Sequence, residues 1–287
     1  MAIDVVIKQK LFGNKNMPLN VILGDDLEYG IYAGDQLETG KLGGGEFIAY
    51  NPRCIGRGFS VIWKPGETKK IALRLPIPST KYEIKDFYSA VERMVKHWGG
   101  SLIVDGNKVR LSDFLSGFER MVEFSNDILN RFSSGVINGE HEDLVVCSAM
   151  WPLTMGIEEA RRFLGDPEYY AWWLHKNQTV DAYFESPKFY YEEGRMCGKY
   201  MLTSDLPAVF PNKPAVPLGA VDYSTGRPIE CQKWSVFIVL DNNILCDIEY
   251  SKFLELIPKE KISRFDEARF LLAEMTEEEI RAIADQG

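Results

Sequence analysis

Histidine is scarce in this chain of 287 residues: three in all, at 97, 141 and 175. A histidine-rich metal centre is thereby all but excluded, and no metal site is expected. The five cysteines, at 54, 147, 197, 231 and 246, are odd in number and none stands in a CxxC spacing. That removes a disulfide framework and a zinc knuckle, and leaves free thiols in a reducing compartment. No apolar run approaches the roughly 20 residues that cross a bilayer. The opening residues, MAIDVVIKQKLFG, carry an acid at position 4 and lack the apolar core of a signal peptide, so a cytoplasmic setting is expected. Catalytic signatures are missing too: GxxxxGK[ST] and GxSxG do not occur. No cofactor is expected.

What is present is ordinary globular material, 45% hydrophobic and 26% charged, in a length that fits one large domain or two smaller ones. Its 33 basic and 42 acidic side chains leave a net charge of −9, which argues against nucleic acid. The charge is unevenly spread. Residues 1–78 hold ten bases and eight acids, whereas residues 179–287 hold 12 bases and 19 acids. Gly40–Leu75 alone carries seven bases against two acids.

Residues 1–76 read as β, with short apolar or alternating runs at 2–8, 19–23, 46–50, 58–63 and 69–75 separated by turn residues. PIPST then marks a transition, and Thr80 with Glu83 matches a capping box. Behind it Ile84, Phe87, Tyr88, Val91, Met94, Val95 and Trp98 fall at helical spacing until Gly99-Gly100. SLIVDGNKVRL reads as a hairpin turned at Asp105-Gly106, and a helix capped by Ser112 is expected to reach about Phe132. Helices at 157–164 and 167–175 follow, then strands at 188–192 and 199–203. DLPAVFPNKPAVPLG, with four prolines, reads as an extended loop. KWSVFIVL and ILCDIEY form a hairpin whose first strand is apolar on both faces and so central to its sheet. Thr276 with Glu279 opens a last helix. The fold class is therefore α+β, with largely antiparallel sheets, packed helices and a β-rich N-terminal part. The break near 76–80 divides a β-rich stretch, residues 1–78, from an α+β stretch, residues 79–287, either as a domain boundary or as a change of layer within one domain.

The stretch KLGGGEFIAYNPRCIGRGFSVIWK, residues 41–64, raises the question of an anion site. GxGxxG fails at Gly43, where Ile48 takes the third glycine's place, and at Gly56, where Val61 does. Each glycine cluster leads into a strand, so hairpin turning is the first reading and an anion cradle at Arg53 and Arg57 the second. Cys54 lies between those arginines, where a thiolate would be stabilised, yet it needs a base that the sequence does not place beside it. GEHEDL, residues 139–144, offers a histidine and two acids whose neighbouring side chains diverge, a solvated turn. The aromatic cluster Tyr169, Tyr170, Trp172, Trp173 suits core or interface, with Tyr169, Trp172 and Trp173 the candidate interface residues.

NPRCIGRGFSVIW and LRLPIPSTKYEIKDFYSAVERMVKHW together resemble a segment of a family of cytoplasmic proteins from Gram-positive bacteria without an assigned function. The resemblance covers residues 51–98 and implies a bacterial, intracellular setting; its motifs are structural. The expected function is a non-enzymatic binding protein that recognises a partner protein or itself. The competing reading is an enzyme or sensor for a small anionic ligand held near Arg53 and Arg57.

Overall fold

The strongest helical period in the chain becomes its organising helix. In the computed structural model, which describes residues 1–10, 12–192, 194–217, 219–222 and 225–287, the apolar stripe from Ile84 to Trp98 is buried along a helix at Lys81–Trp98. Thr80 and Glu83 close the capping box and Gly99 ends the helix in the left-handed conformation, at φ 57°. The chain divides into two units, Met1–Thr179 and Val180–Gly287.

The first unit begins with β1 (Ala2–Lys8), α1 (Leu19–Leu23), β2 (Glu28–Ala33), β3 (Gln36–Thr39), β4 (Glu46–Tyr50), β5 (Phe59–Ile62) and β6 (Lys70–Pro76). The organising helix, α2 (Lys81–Trp98), precedes β7 (Ser101–Val104) and β8 (Asn107–Val109). The eight strands form one antiparallel sheet in the order β3-β2-β4-β5-β6-β1-β7-β8. Val5, Ile7, Val61, Ile71 and Leu73 point from this sheet into the core shared with α2, where Phe59 meets Phe87 edge-on at 5.3 Å. Each such side chain contributes about 1.5–3 kcal/mol by leaving water. Residues on both sides of the 76–80 break contribute to this core. The unit continues with α3 (Leu111–Ser116), α4 (Phe118–Ile137), β9 (Leu144–Val146), β10 (Leu153–Met155), α5 (Ile157–Phe163) and α6 (Pro167–Gln178).

The second unit holds β11 (Tyr183–Phe184), β12 (Lys188–Glu192), β13 (Arg195–Leu202), β14 (Ala208–Pro211), β15 (Lys233–Leu240) and β16 (Asn243–Glu249). Then come α7 (Tyr250–Leu256), β17 (Ile262–Arg264), β18 (Arg269–Leu272) and α8 (Glu277–Gln286). Two four-stranded sheets result, β11-β14-β18-β17 and β12-β13-β15-β16. Two of their strand pairs, β11–β14 and β13–β15, are parallel. Tyr200, Phe210, Tyr250, Phe253 and Phe270 pack together in the core, with Phe210 fully buried. The protein is thus α+β with largely antiparallel sheets and a β-rich N-terminal part, and β15 is central as its two-sided apolar pattern requires.

Three local expectations are corrected, and one hairpin absent from the sequence reading is added. Residues 19–23 form helix α1, whose last carbonyls at Val21 and Ile22 accept hydrogen bonds from Arg93 of α2 at 3.1 and 2.8 Å. That tertiary cap is what lets so short a helix end cleanly. The hairpin β2–β3, turned at Gly34 (φ 68°), has no clear signal in the sequence because its residues mix both faces. The helix expected from Ser112 is two helices parted at Gly117, and Ser112 sits inside the first with its hydroxyl on Asp113. In the proline-rich segment, Ala208–Pro211 is strand β14, because Pro207 and Pro211 frame buried Val209 and Phe210 rather than interrupt them. The remainder, 212–219, has no helix or strand among its described residues; residue 218 lies outside them.

Within the second unit Glu185 is buried and accepts one backbone hydrogen bond, from Met201 at 3.2 Å. Burial pushes its carboxyl up to about 8, against the weaker pull of the Met201 N–H and Lys188. The folded state therefore binds a proton there that the unfolded chain has released. Its stabilising contribution is full below the ordinary carboxylate value and is lost as pH rises towards 8. Thermal melts between pH 4.5 and 8.5 should show wild-type stability falling more steeply than that of Glu185→Gln, which has no proton to lose; parallel curves would contradict this.

Candidate functional site

The basic, glycine-containing stretch closes around a carboxyl group of the protein's own, that of Glu83. The loop between β4 and β5 wraps the N-terminus of α2. There the Glu83 carboxylate accepts hydrogen bonds from the backbone N–H groups of Arg57, of Gly58 at 2.8 Å and of Thr80 at 2.9 Å. Glu83 is buried, and burial raises its carboxyl above the usual range while these donors and the Arg57 charge pull it down. Gly56 completes the cradle by its lack of a side chain: a Cβ there would lie 2.2 Å from Glu83 Cδ. Gly58, at φ 68°, supplies the left-handed turn that aims its N–H at the carboxylate.

The two arginines of the anion-site reading do not converge. Arg57 turns inward and donates from Nε to the Cys147 carbonyl at 3.0 Å and from Nη1 to the Pro78 carbonyl at 2.9 Å. Arg53 points to solvent, and its guanidinium pairs with exposed Asp26 at 3.2 Å. From the other side α6 grips the same loop. Gln178 donates to the Gly56 carbonyl at 2.7 Å and to that of Leu174, and accepts from the Met150 N–H at 2.9 Å. His175 accepts the Ile55 N–H on Nδ1 at 3.0 Å.

This last bond brings a histidine to the neighbourhood of Cys54, which the sequence alone did not place. The pair is nevertheless unsuited to nucleophilic chemistry. Burial, followed by the charges of Asp86 and Glu83, pushes the Cys54 thiol up to about 11, so the thiolate is rare at neutral pH. With Nδ1 accepting the Ile55 N–H, the neutral imidazole carries its proton on Nε2. His97 lies against the Asn16 carbonyl at 2.9 Å, and His141 packs beside Gly135. Among the described residues no group of three histidine, cysteine or acidic side chains is arranged to hold a metal ion.

Arg53, Cys54 and His175 line one side of an open depression of about 360 Å³, with Thr80, Tyr82, Glu168, Ala171 and Trp172 around the rest. Glu168 joins its walls by pairing with Lys81 and accepting the Tyr82 hydroxyl at 3.1 Å. Helix α6 divides its aromatics by face. Trp173 is buried against Phe163 at 5.2 Å and Tyr170 is buried beside it, so Trp173 is a packing residue and drops out of the interface set. Trp172 is 49% exposed; Tyr169 approaches it at 5.1 Å and the Lys176 ammonium lies 4.9 Å over its ring. The helical register that places i and i+3 together explains Tyr169 with Trp172 outside and Tyr170 with Trp173 inside.

A family model described as Domain of unknown function (DUF4299) matches residues 2–283. The chain belongs to the DUF4299 family. No curated protein and no solved structure matches it. The match spans both units of this DUF4299 protein, well beyond the stretch 51–98 that carried the resemblance. Sequence reasoning missed Glu83 as the captured anion; its only signal was the capping box, which accounts for one of its three donors. Tyr82, Glu168, His175 and Gln178 gave none, because loop and helix meet only across about 120 residues of chain. No helix among the described residues is long and apolar enough to cross a membrane.

If the cradle is filled by Glu83, Gly56→Ala must clash with that side chain specifically. Denaturant unfolding should give a loss of about 1–3 kcal/mol for Gly56→Ala in the wild-type background, and a clearly smaller loss when Glu83 is already alanine. Additive losses in the double mutant would refute the contact.

Proposed function

We propose that this DUF4299 protein is a non-enzymatic binding protein that recognises a partner protein through the outer face of α6 and the adjoining loop. The observation that carries the reading is Trp172, half-exposed at the rim of the depression yet held in place by Tyr169 and Lys176. Tryptophan, tyrosine and arginine dominate the energetics of protein interfaces, and Trp172, Tyr169, Tyr82 and Arg53 are the groups gathered here. An immobilised indole loses little conformational entropy on binding, which favours it as an anchor. The raised Cys54 thiol and the occupied Nδ1 of His175 support binding over turnover. A bacterial and cytoplasmic setting, with free thiols and no nucleic-acid partner, belongs to the same reading.

A second reading, a small anionic ligand, is favoured by the volume of the depression and by the Arg53 guanidinium at its edge. Arg57 takes no part in it, since its guanidinium is engaged by Cys147 and Pro78.

The two are separated by a photo-crosslinker placed at Tyr169 in the native host and by thermal shift with phosphates and carboxylates. The protein reading expects one dominant crosslinked partner, whose affinity for purified protein falls about 30-fold in Trp172→Ala, the loss of about 2 kcal/mol typical of an anchor residue. A partner bound equally well by Trp172→Ala refutes it. A melting temperature raised by an anion in wild type and unmoved in Arg53→Ala supports the small-ligand reading instead.

A further inference from the structure

The eight-stranded sheet has a second face, and its composition is not that of an idle surface. Side chains alternate along each strand, so the residues between the core positions point away from α2. The register places Ile62 opposite Ala72, Ala72 opposite Val6, Val6 opposite Ile103 and Ile103 opposite Lys108. An apolar row thus runs across β5, β6, β1 and β7, about 14 Å long at the usual spacing of strands. Ile62 is 53% exposed and Val6, Ala72 and Ile103 are half-buried. Ala72 leaves a low point in the middle of the row, between Ile62 and Val6.

The rows on either side differ in charge. On one flank Lys8 stands directly opposite Lys70 on neighbouring strands, with Lys64 beyond Ile62. Like charges placed opposite each other across a sheet destabilise it. None of Lys8, Lys64, Lys70 and Lys108 forms a salt bridge among the described residues. On the other flank Arg74 is paired with Asp4 at 3.7 Å, and Glu46 closes the far end of the row beside Ile62. The face therefore carries an apolar row with one basic flank whose lysines form no salt bridge among the described residues.

We propose that this face docks an amphipathic helix of a partner protein whose flank is acidic. A helix of about three turns matches the 14 Å row, its apolar stripe lying over Ile62, Ala72, Val6 and Ile103 and its carboxylates against Lys8, Lys64 and Lys70. The sheet would then be covered by helices on both faces, α2 on one and the partner's on the other. Charge complementarity selects the partner, and the row contains no aromatic ring on which a nucleic-acid base would stack. This surface is separate from that of Trp172 and does not depend on it.

The probe is a stapled 14-residue helix with leucines along one stripe and glutamates beside it, followed by fluorescence anisotropy at 50 and 300 mM NaCl. It should bind the full chain, at least tenfold more weakly to the Lys8→Glu/Lys70→Glu double variant and to Ile62→Glu, and more weakly at the higher salt. Trp172→Ala should bind it as wild type does. Lys8→Glu alone replaces repulsion by attraction across the pair, so it should weaken binding while raising Tm by about 1–3 °C. Circular dichroism of each variant separates lost docking from lost fold. The proposal is overturned if the helix does not bind, if its glutamine counterpart binds equally, if charge reversal leaves the affinity unchanged, if Trp172→Ala abolishes binding, or if a single-stranded oligothymidine binds more tightly than the helix.

Discussion

A buried carboxylate held by backbone N–H groups from two separate stretches of chain is the constraint around which the first unit is arranged. Glu83 belongs to the first turn of α2, and its capping role ties it to Thr80. By also accepting from Arg57 and Gly58 it fastens the β4–β5 loop to the start of the helix that covers the sheet. A carboxylate in such a position must be satisfied by several donors, since desolvation alone would expel its charge. The loop answers with glycines at 56 and 58, one for space and one for a left-handed turn, and with the Arg57 charge.

The same constraint decides what the loop presents to solvent. Arg57 is consumed inside, on the carbonyls of Cys147 and Pro78, and holds three distant segments together. Arg53, four residues earlier, is on the outside. Helix α6 then locks the loop from the opposite direction with Gln178 and His175, and this locking sets Trp172 at the rim of the depression with Tyr169 against its ring. Structural and recognition roles are thus distributed within one loop by the direction in which each side chain leaves it.

Patterns confined to neighbouring residues were legible in the sequence. The stripe of α2, both threonine capping boxes, the Asp105-Gly106 turn and the two-faced apolar strand β15 all came through, because each is set by interactions within a few residues. Where distant partners intervene the pattern fails. Residues 19–23 look like a strand until Arg93 caps them as a helix, and Ala208–Pro211 looks like coil until β18 pairs with it. The candidate site shows the same division: Arg53 and Cys54 were visible as residue types, whereas the company of His175, Tyr82 and Glu168 was not.

From its sequence alone the protein reads as an acidic α+β chain with a basic N-terminal stretch, because composition and short-range periodicity carry those properties. Which anion the basic stretch holds, which tryptophan of α6 faces water, and which lysines meet across the sheet were decided by tertiary structure. Those outcomes depend on register and on contacts between segments up to about 120 residues apart, and no local pattern records them.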